Sequence, residues 1–220
     1  MKRTNAQLAQ LSFERAQLYA FFSRIFSEEV DAPLLEILRE RCLVLAHIEH
    51  DEKVGISTLR SFFKDIEISV ELVEDLREDF AALFLGTGNN PAFPYESVYM
   101  NENRLVMGLC REEVLELLDS ESLQKVKRCK EPEDHISVLF DFMVYLCLRL
   151  KEELNRGDTE AAEHTLSIQN NFYHKHIVTW TDMFCRTIIE GSTRHRFYES
   201  IGRMLQSFLL DEKNMFDRFS

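Results

Sequence analysis

Turn-forming residues are scarce in this chain: its 220 residues hold only seven glycines and four prolines. A fold of many short strands needs such residues at every reversal, so the scarcity argues against a sandwich or barrel and for helices. The five cysteines, Cys42, Cys110, Cys129, Cys147 and Cys185, are odd in number and contain no close pair. Neither a disulfide framework nor a CxxC redox or zinc motif is visible among them. Positive charge is also short, with 26 Lys and Arg against 38 Asp and Glu, a formal net charge of −12. Nothing dense and basic is present to displace the counterions of a nucleic acid, and a cationic partner is favoured instead. Wholly apolar runs are too short to span a bilayer. Lys2 and Arg3 open the chain as a signal peptide would, but Glu14 and Arg15 interrupt the apolar core such a peptide needs. A cytoplasmic protein is therefore expected. What the chain does have is 45% hydrophobic and 29% charged residues, the balance of a globular protein with a core of its own.

The apolar residues recur at helical spacing. Leu8, Leu11, Leu18, Tyr19, Phe22, Ile25 and Phe26 form one stripe, which Arg15 interrupts, either by snorkelling or pairing with a carboxylate or by lining a site. A second helix is expected from Asp31, an N-cap type, with Pro33 in its first turn and Leu34, Leu35, Leu38 and Leu45 facing the core. Gly55 marks a break, and a short helix follows around Leu59 to Phe63. Ser69 caps the clearest amphipathic segment, Leu72, Val73, Leu76, Phe80, Leu83 and Phe84. Gly86-Thr87-Gly88-Asn89-Asn90-Pro91 then turns the chain into Phe93 to Gly108, aromatic and apolar but not helical in pattern. Such a stretch is expected to pack over a binding surface.

Arg111 to Leu118 form a short helix, and the charged residues 119–130 read as a hinge. Glu131-Pro132-Glu133-Asp134 open a long helix carrying Ile136, Leu139, Met143, Leu146 and Leu150, with acids where the helix dipole favours them. Gly157 closes it, Asp158 caps the next, and two further helices cover 177–189 and 197–210 about Gly191. The expected fold is all-α, either a single helical domain or two helical lobes, 1–118 and 131–220, joined by the polar linker.

Catalytic and metal signatures are mostly missing. There is no HExxH or ExxH, no GxSxG, and Gly86-Thr87-Gly88 lacks the Gly-Lys-Ser/Thr of a phosphate-binding loop. His47 and His50 form an HxxH without a strong third ligand nearby. His174 and His176, two apart, diverge on a regular helix unless the backbone is irregular. Glu131, Glu133, Asp134 and His135 contain an acid/base set, but acids at a helix start are usually structural. No metal and no cofactor of its own is expected, and the chain points to binding rather than turnover.

Two motifs read together carry a resemblance. Leu83-Phe84-Leu85-Gly86 leads to Pro94-Tyr95-Glu96-Ser97-Val98-Tyr99 and Gly108, and Glu131-Pro132-Glu133-Asp134-His135 follows. In order and spacing this resembles the TorD/DmsD family of molybdoenzyme chaperones, and His176 to Trp180 with Phe197-Tyr198 are similar to its C-terminal pattern. The likeness runs over roughly residues 8 to 212; Thr87 stands where members often have proline. It implies an all-helical, non-enzymatic protein that binds the twin-arginine leader and apo form of a molybdopterin oxidoreductase and delays export until the cofactor is inserted. It also implies that the leader binds near Leu83, Phe84, Pro94, Tyr95, Gly108, Pro132, Asp134 and His135. Homodimers by lobe exchange occur in the family, and residues 119–130 would be the hinge.

Such a leader couples two guanidinium groups to an apolar stretch. The expected receptor is an apolar groove of Leu83, Phe84, Pro94 and Tyr95, with Asp134 and Glu96 or Glu131 accepting the guanidinium hydrogen bonds and His135 orienting Asp134 or the peptide. The alternative for Asp134 and His135 is a purely structural role at the helix start. Alternatives for the whole chain are a chaperone of a non-exported nitrate-reductase-type subunit, a small hydrolase or nucleotide-binding enzyme, and an oligomeric adaptor.

Overall fold

The computed structural model describes residues 4–45, 54–64, 66–100, 108–125, 130–191 and 194–218. His47 and His50 lie outside them, as does the side chain of Leu45. The described residues are all-α, and their sole β pairing is an isolated antiparallel bridge between Tyr95 and His135. Ten α-helices and one π-helical turn follow in order: α1 (Asn5–Ser27), α2 (Ala32–Leu45), α3 (Val54–Lys64), α4 (Val70–Phe84), α5 (Glu96–Met100), α6 (Leu109–Ser120), α7 (Ile136–Arg156), α8 (Thr159–Phe172), the π turn (Tyr173–Ile177), α9 (Val178–Gly191) and α10 (Phe197–Phe216).

The boundaries follow local chemistry. Asp31 Oδ1 accepts the Leu34 N–H at 2.9 Å to start α2, and Ser69 Oγ accepts the Leu72 N–H at 3.2 Å to start α4. Each satisfies a backbone donor that a helix start otherwise leaves bare. Asp158 does the same for α8 through the Ala161 N–H. Gly157, at φ 73°, ends α7 in the left-handed conformation that glycine adopts without penalty. Three expectations are corrected. Gly55 lies inside the first turn of α3 rather than at a break. Leu18 is exposed, because the buried face of α1 runs through Ala16, Tyr19, Phe22, Ile25 and Phe26. The 93–108 segment contains a short helix, α5, whose start is held by a residue far along the chain.

The chain divides into two compact units, each made of two separate stretches: Met1–Ser27 with Tyr95–Trp180, and Glu28–Pro94 with Thr181–Ser220. Residues 119–130 fall within the first unit. There α1 packs along α7, and α7 against α8. Tyr19 and Phe140 meet at 5.4 Å between ring centroids, and Phe142 and Phe172 at 4.8 Å. Arg15 is buried in this unit, and its Nη1 donates to Gln169 Oε1 at 2.8 Å. In the second unit α10 packs on α3 and α4, and α2 on α3. Its core is a run of rings: Phe84 lies 5.0 Å from Phe80, 5.5 Å from Tyr198 and 6.2 Å from Phe184. Phe62 meets Phe197 at 5.6 Å.

A buried polar hub in the first unit

The start of α7 and the start of α5 are built on each other. Pro132 and the residues after it make a tight turn in which the His135 N–H donates to the Pro132 carbonyl at 3.1 Å. That turn carries Asp134 away from α7 and towards α5. The Asp134 main-chain oxygen accepts the Glu96 N–H at 3.0 Å, and its Oδ2 accepts the Ser97 N–H at 3.1 Å. A five-residue helix has few internal bonds, so these two acceptors supply what its own sequence lacks. Asp134 is fully buried, and its Oδ1 has no hydrogen-bond partner among the described residues.

His135, not one of the acids before it, is the N-cap of α7, with Nδ1 accepting the Ser137 N–H at 3.1 Å and meeting Ser137 Oγ at 2.7 Å. Burial pushes its pKa down to about 4, against the pull of Asp134, so the ring is neutral at neutral pH and its Nδ1 is free to accept. Tyr95 packs edge-on to this ring at 5.0 Å and donates its hydroxyl to Glu131 Oε2 at 2.8 Å. Glu133, buried as well, pairs with two cations, Arg111 Nε at 2.6 Å and Lys125 Nζ at 2.7 Å. The three acids expected to favour the helix dipole are thus each committed to a separate tertiary partner.

Beneath α5 sits a second charged group. Glu96 is buried, and both its carboxylate oxygens face His176 Nδ1, at 3.0 and 3.2 Å. Burial pushes the Glu96 carboxyl up from its ordinary value, while the imidazole pulls it back. The Cys110 thiol hydrogen-bonds the same carboxylate; burial, with Glu96, Glu113 and Asp134 close by, raises it to about 11, so it is an inert thiol. His176 belongs to the π turn Tyr173–Ile177. Trp180 Nε1 donates to the His176 carbonyl at 2.8 Å and its ring stacks on Tyr99 at 5.2 Å, fixing the turn against α5.

Of the residues singled out in the sequence, Tyr95, Glu96, Pro132, Asp134 and His135 come together here. Gly108 is the N-cap of α6, the helix that brings Cys110 and Arg111 to the hub. Leu83, Phe84 and Pro94 belong to the second unit. All three are buried, Leu83 and Phe84 to within 2% of full burial, and Phe84 lies in the ring cluster. Nothing local marks Ser97, Cys110 or His176 as partners of this hub. Glu96 and His176 are eighty positions apart, and their pairing has no local signature.

Comparison with known proteins gives the family. The family model of the nitrate reductase delta subunit matches residues 48–186, which is more than half of the chain, and the chain belongs to that family. Relatives named chaperone protein TorD are similar over almost all of it. The Aliivibrio salmonicida protein is 24% identical over 212 residues, 94% of this chain and 97% of the relative. That of Vibrio parahaemolyticus is 28% identical over 202 residues, 89% and 91% of the two chains, and that of Shewanella oneidensis 24% over 217, 94% and 93%. The resemblance to TorD-like chaperones read from the two motifs therefore holds. Among the described residues no helix is long and apolar enough to cross a membrane.

Proposed function

We propose that this protein is a maturation chaperone for a molybdenum-containing respiratory oxidoreductase. In this reading it binds the twin-arginine leader and apo form of that enzyme in the cytoplasm, and it delays export until the cofactor has been inserted. The observation that carries the reading is the meeting of the two motifs: the 95–97 and 131–135 segments are locked together in one unit by Asp134 and the Tyr95–His135 bridge. Segments that serve only their own helices do not need such a joint. The hub holds the surrounding surface of the first unit in shape, and Leu83, Phe84 and Pro94 keep the second unit's core. The protein acts by holding and releasing, with a Kd between roughly micromolar and nanomolar.

The test is affinity capture of the tagged full chain from its host under anaerobic respiratory growth, with bound proteins identified by mass spectrometry. A molybdoenzyme catalytic subunit with its leader uncleaved is the expected catch, and its absence while it is being synthesised would overturn the reading. Asp134→Asn, which keeps an acceptor for the Ser97 N–H, is expected to weaken capture while the helical circular-dichroism melt moves little. A second reading is favoured by the family description: a nitrate-reductase-type subunit that is not exported, bound through one of its termini. Capture of a leaderless catalytic subunit selects it.

A further inference from the structure

The first unit carries a cleft of about 460 Å³ beside the hub. Leu117, Ile168 and Phe172 form its apolar lining, and Glu113 and Glu116, one turn apart on α6, are its carboxylates. Three observations mark it as built for a cation attached to an apolar body. Glu116 is exposed and has no ion-pair partner among the described residues. Glu113 pairs with Lys175 at 3.1 Å, but both side chains are about half exposed, and a pair of that kind contributes little and is displaced at little cost. His176 also lines the cleft although only 3% exposed, and it is held by Glu96 through Nδ1. Its Nε2 has no hydrogen-bond partner among the described residues. Nδ1 faces the Glu96 carboxyl, so Nε2 is the ring's remaining polar atom. Two carboxylates and an apolar lining, with an imidazole at the cleft's inner end, fit the fork of an arginine followed by apolar residues.

We infer that this cleft between α6 and the α8–π segment seats the arginine pair and the first apolar residues of the client's leader, with Glu113 and Glu116 accepting the guanidinium groups. The inference rests on the chaperone reading above and adds the place and the residues. Lys175 occupies the acid wall in the empty protein and is displaced on binding.

The test is fluorescence anisotropy of the purified full chain with a labelled synthetic peptide, Arg-Arg followed by an apolar stretch, and with its Gln-Gln counterpart. The Arg-Arg peptide binds and the Gln-Gln peptide binds at least tenfold more weakly. Glu113→Gln with Glu116→Gln lowers affinity about tenfold, and Ile168→Arg lowers it further, with helical content unchanged because these side chains are not fully buried. Lys175→Gln raises affinity a few-fold at low salt, an effect that damage to the fold would not produce. Unchanged affinity across these variants, or equal binding of both peptides, overturns the cleft while leaving the chaperone reading to the capture experiment. Failure of both the Arg-Arg peptide and the capture experiment overturns the two together.

Discussion

The two units bury different chemistry. Thirteen of the seventeen polar or charged residues buried among the described residues belong to the first, among them Arg15, Glu96, Asp134, His135 and His176. The second holds Asp79, Thr181, Ser200 and Glu212, and fills its interior with the rings of Phe80, Phe84, Phe184, Phe197 and Tyr198. Both solve the same problem of covering helix faces, but each buried polar group costs free energy unless it is paired. A core that retains many of them has only a weak claim to extra stability from them. The contrast teaches that the first unit spends part of its core on fixed hydrogen-bonding geometry, whereas the second leaves fewer buried polar groups to be paired.

That contrast can be broken by substitution. Phe84→Ala removes the ring at the centre of the second unit and is expected to cost about 3–5 kcal/mol in chemical denaturation. Its effect on leader affinity should be small once the fraction folded is allowed for. A selective loss of binding would instead give Phe84 a direct role in recognition.

The second largest effect is a pH dependence belonging to the first unit. The His135 pKa falls from 6.5 in the unfolded chain to about 4 in the protein, so between those values the unfolded chain binds more protons. Its contribution is fully present above pH 6.5 and is lost as pH falls towards 4, about 2–3 kcal/mol by pH 4.5. Glu96 and Asp141 in the same unit, and Asp79 in the second, are shifted upward by burial and act in the opposite direction. The clean measurement is therefore the difference between wild type and His135→Asn, whose amide keeps the cap and cannot titrate. The two proteins should show stability curves that diverge between pH 7 and 4.5. Parallel curves would mean that His135 does not set the acid sensitivity.

The smallest effect is local to the second unit. Ser69→Ala removes the acceptor at the start of α4 and is expected to cost about 1 kcal/mol, read by urea midpoint. Amide exchange should quicken first in α4, and an equal change in α7 would blur the distinction between the units.

The sequence makes α4 and α7 easy to read because period, cap and stop coincide there: Ser69 before a regular apolar stripe, Gly157 after one. It does not reveal α5, since the acceptors that start it lie on Asp134, nearly forty positions away. The π turn has no compositional mark either. Residues 119–130 read as a hinge because they are charged; two of these charges have partners that composition does not show, Glu121 pairing with Arg149 at 2.5 Å and Lys125 with Glu133. The two motifs were legible, and Asp134 and His135 within them fall in the buried hub. The buried status of Leu83 and Phe84 was not legible, because an apolar residue at the end of an amphipathic helix reads alike whether it fills a core or lines a groove.

The interleaving of the two units also sets a timetable for the ribosome. α1 leaves the exit tunnel well before the helix it packs along, α7, which is complete only at Arg156. At about 5–20 residues per second the apolar stripe of α1 waits on the order of ten seconds for its partner, while residues 28–156 emerge. A protein proposed to shield unfinished enzymes thus passes through an unfinished stage with its own sticky helix uncovered.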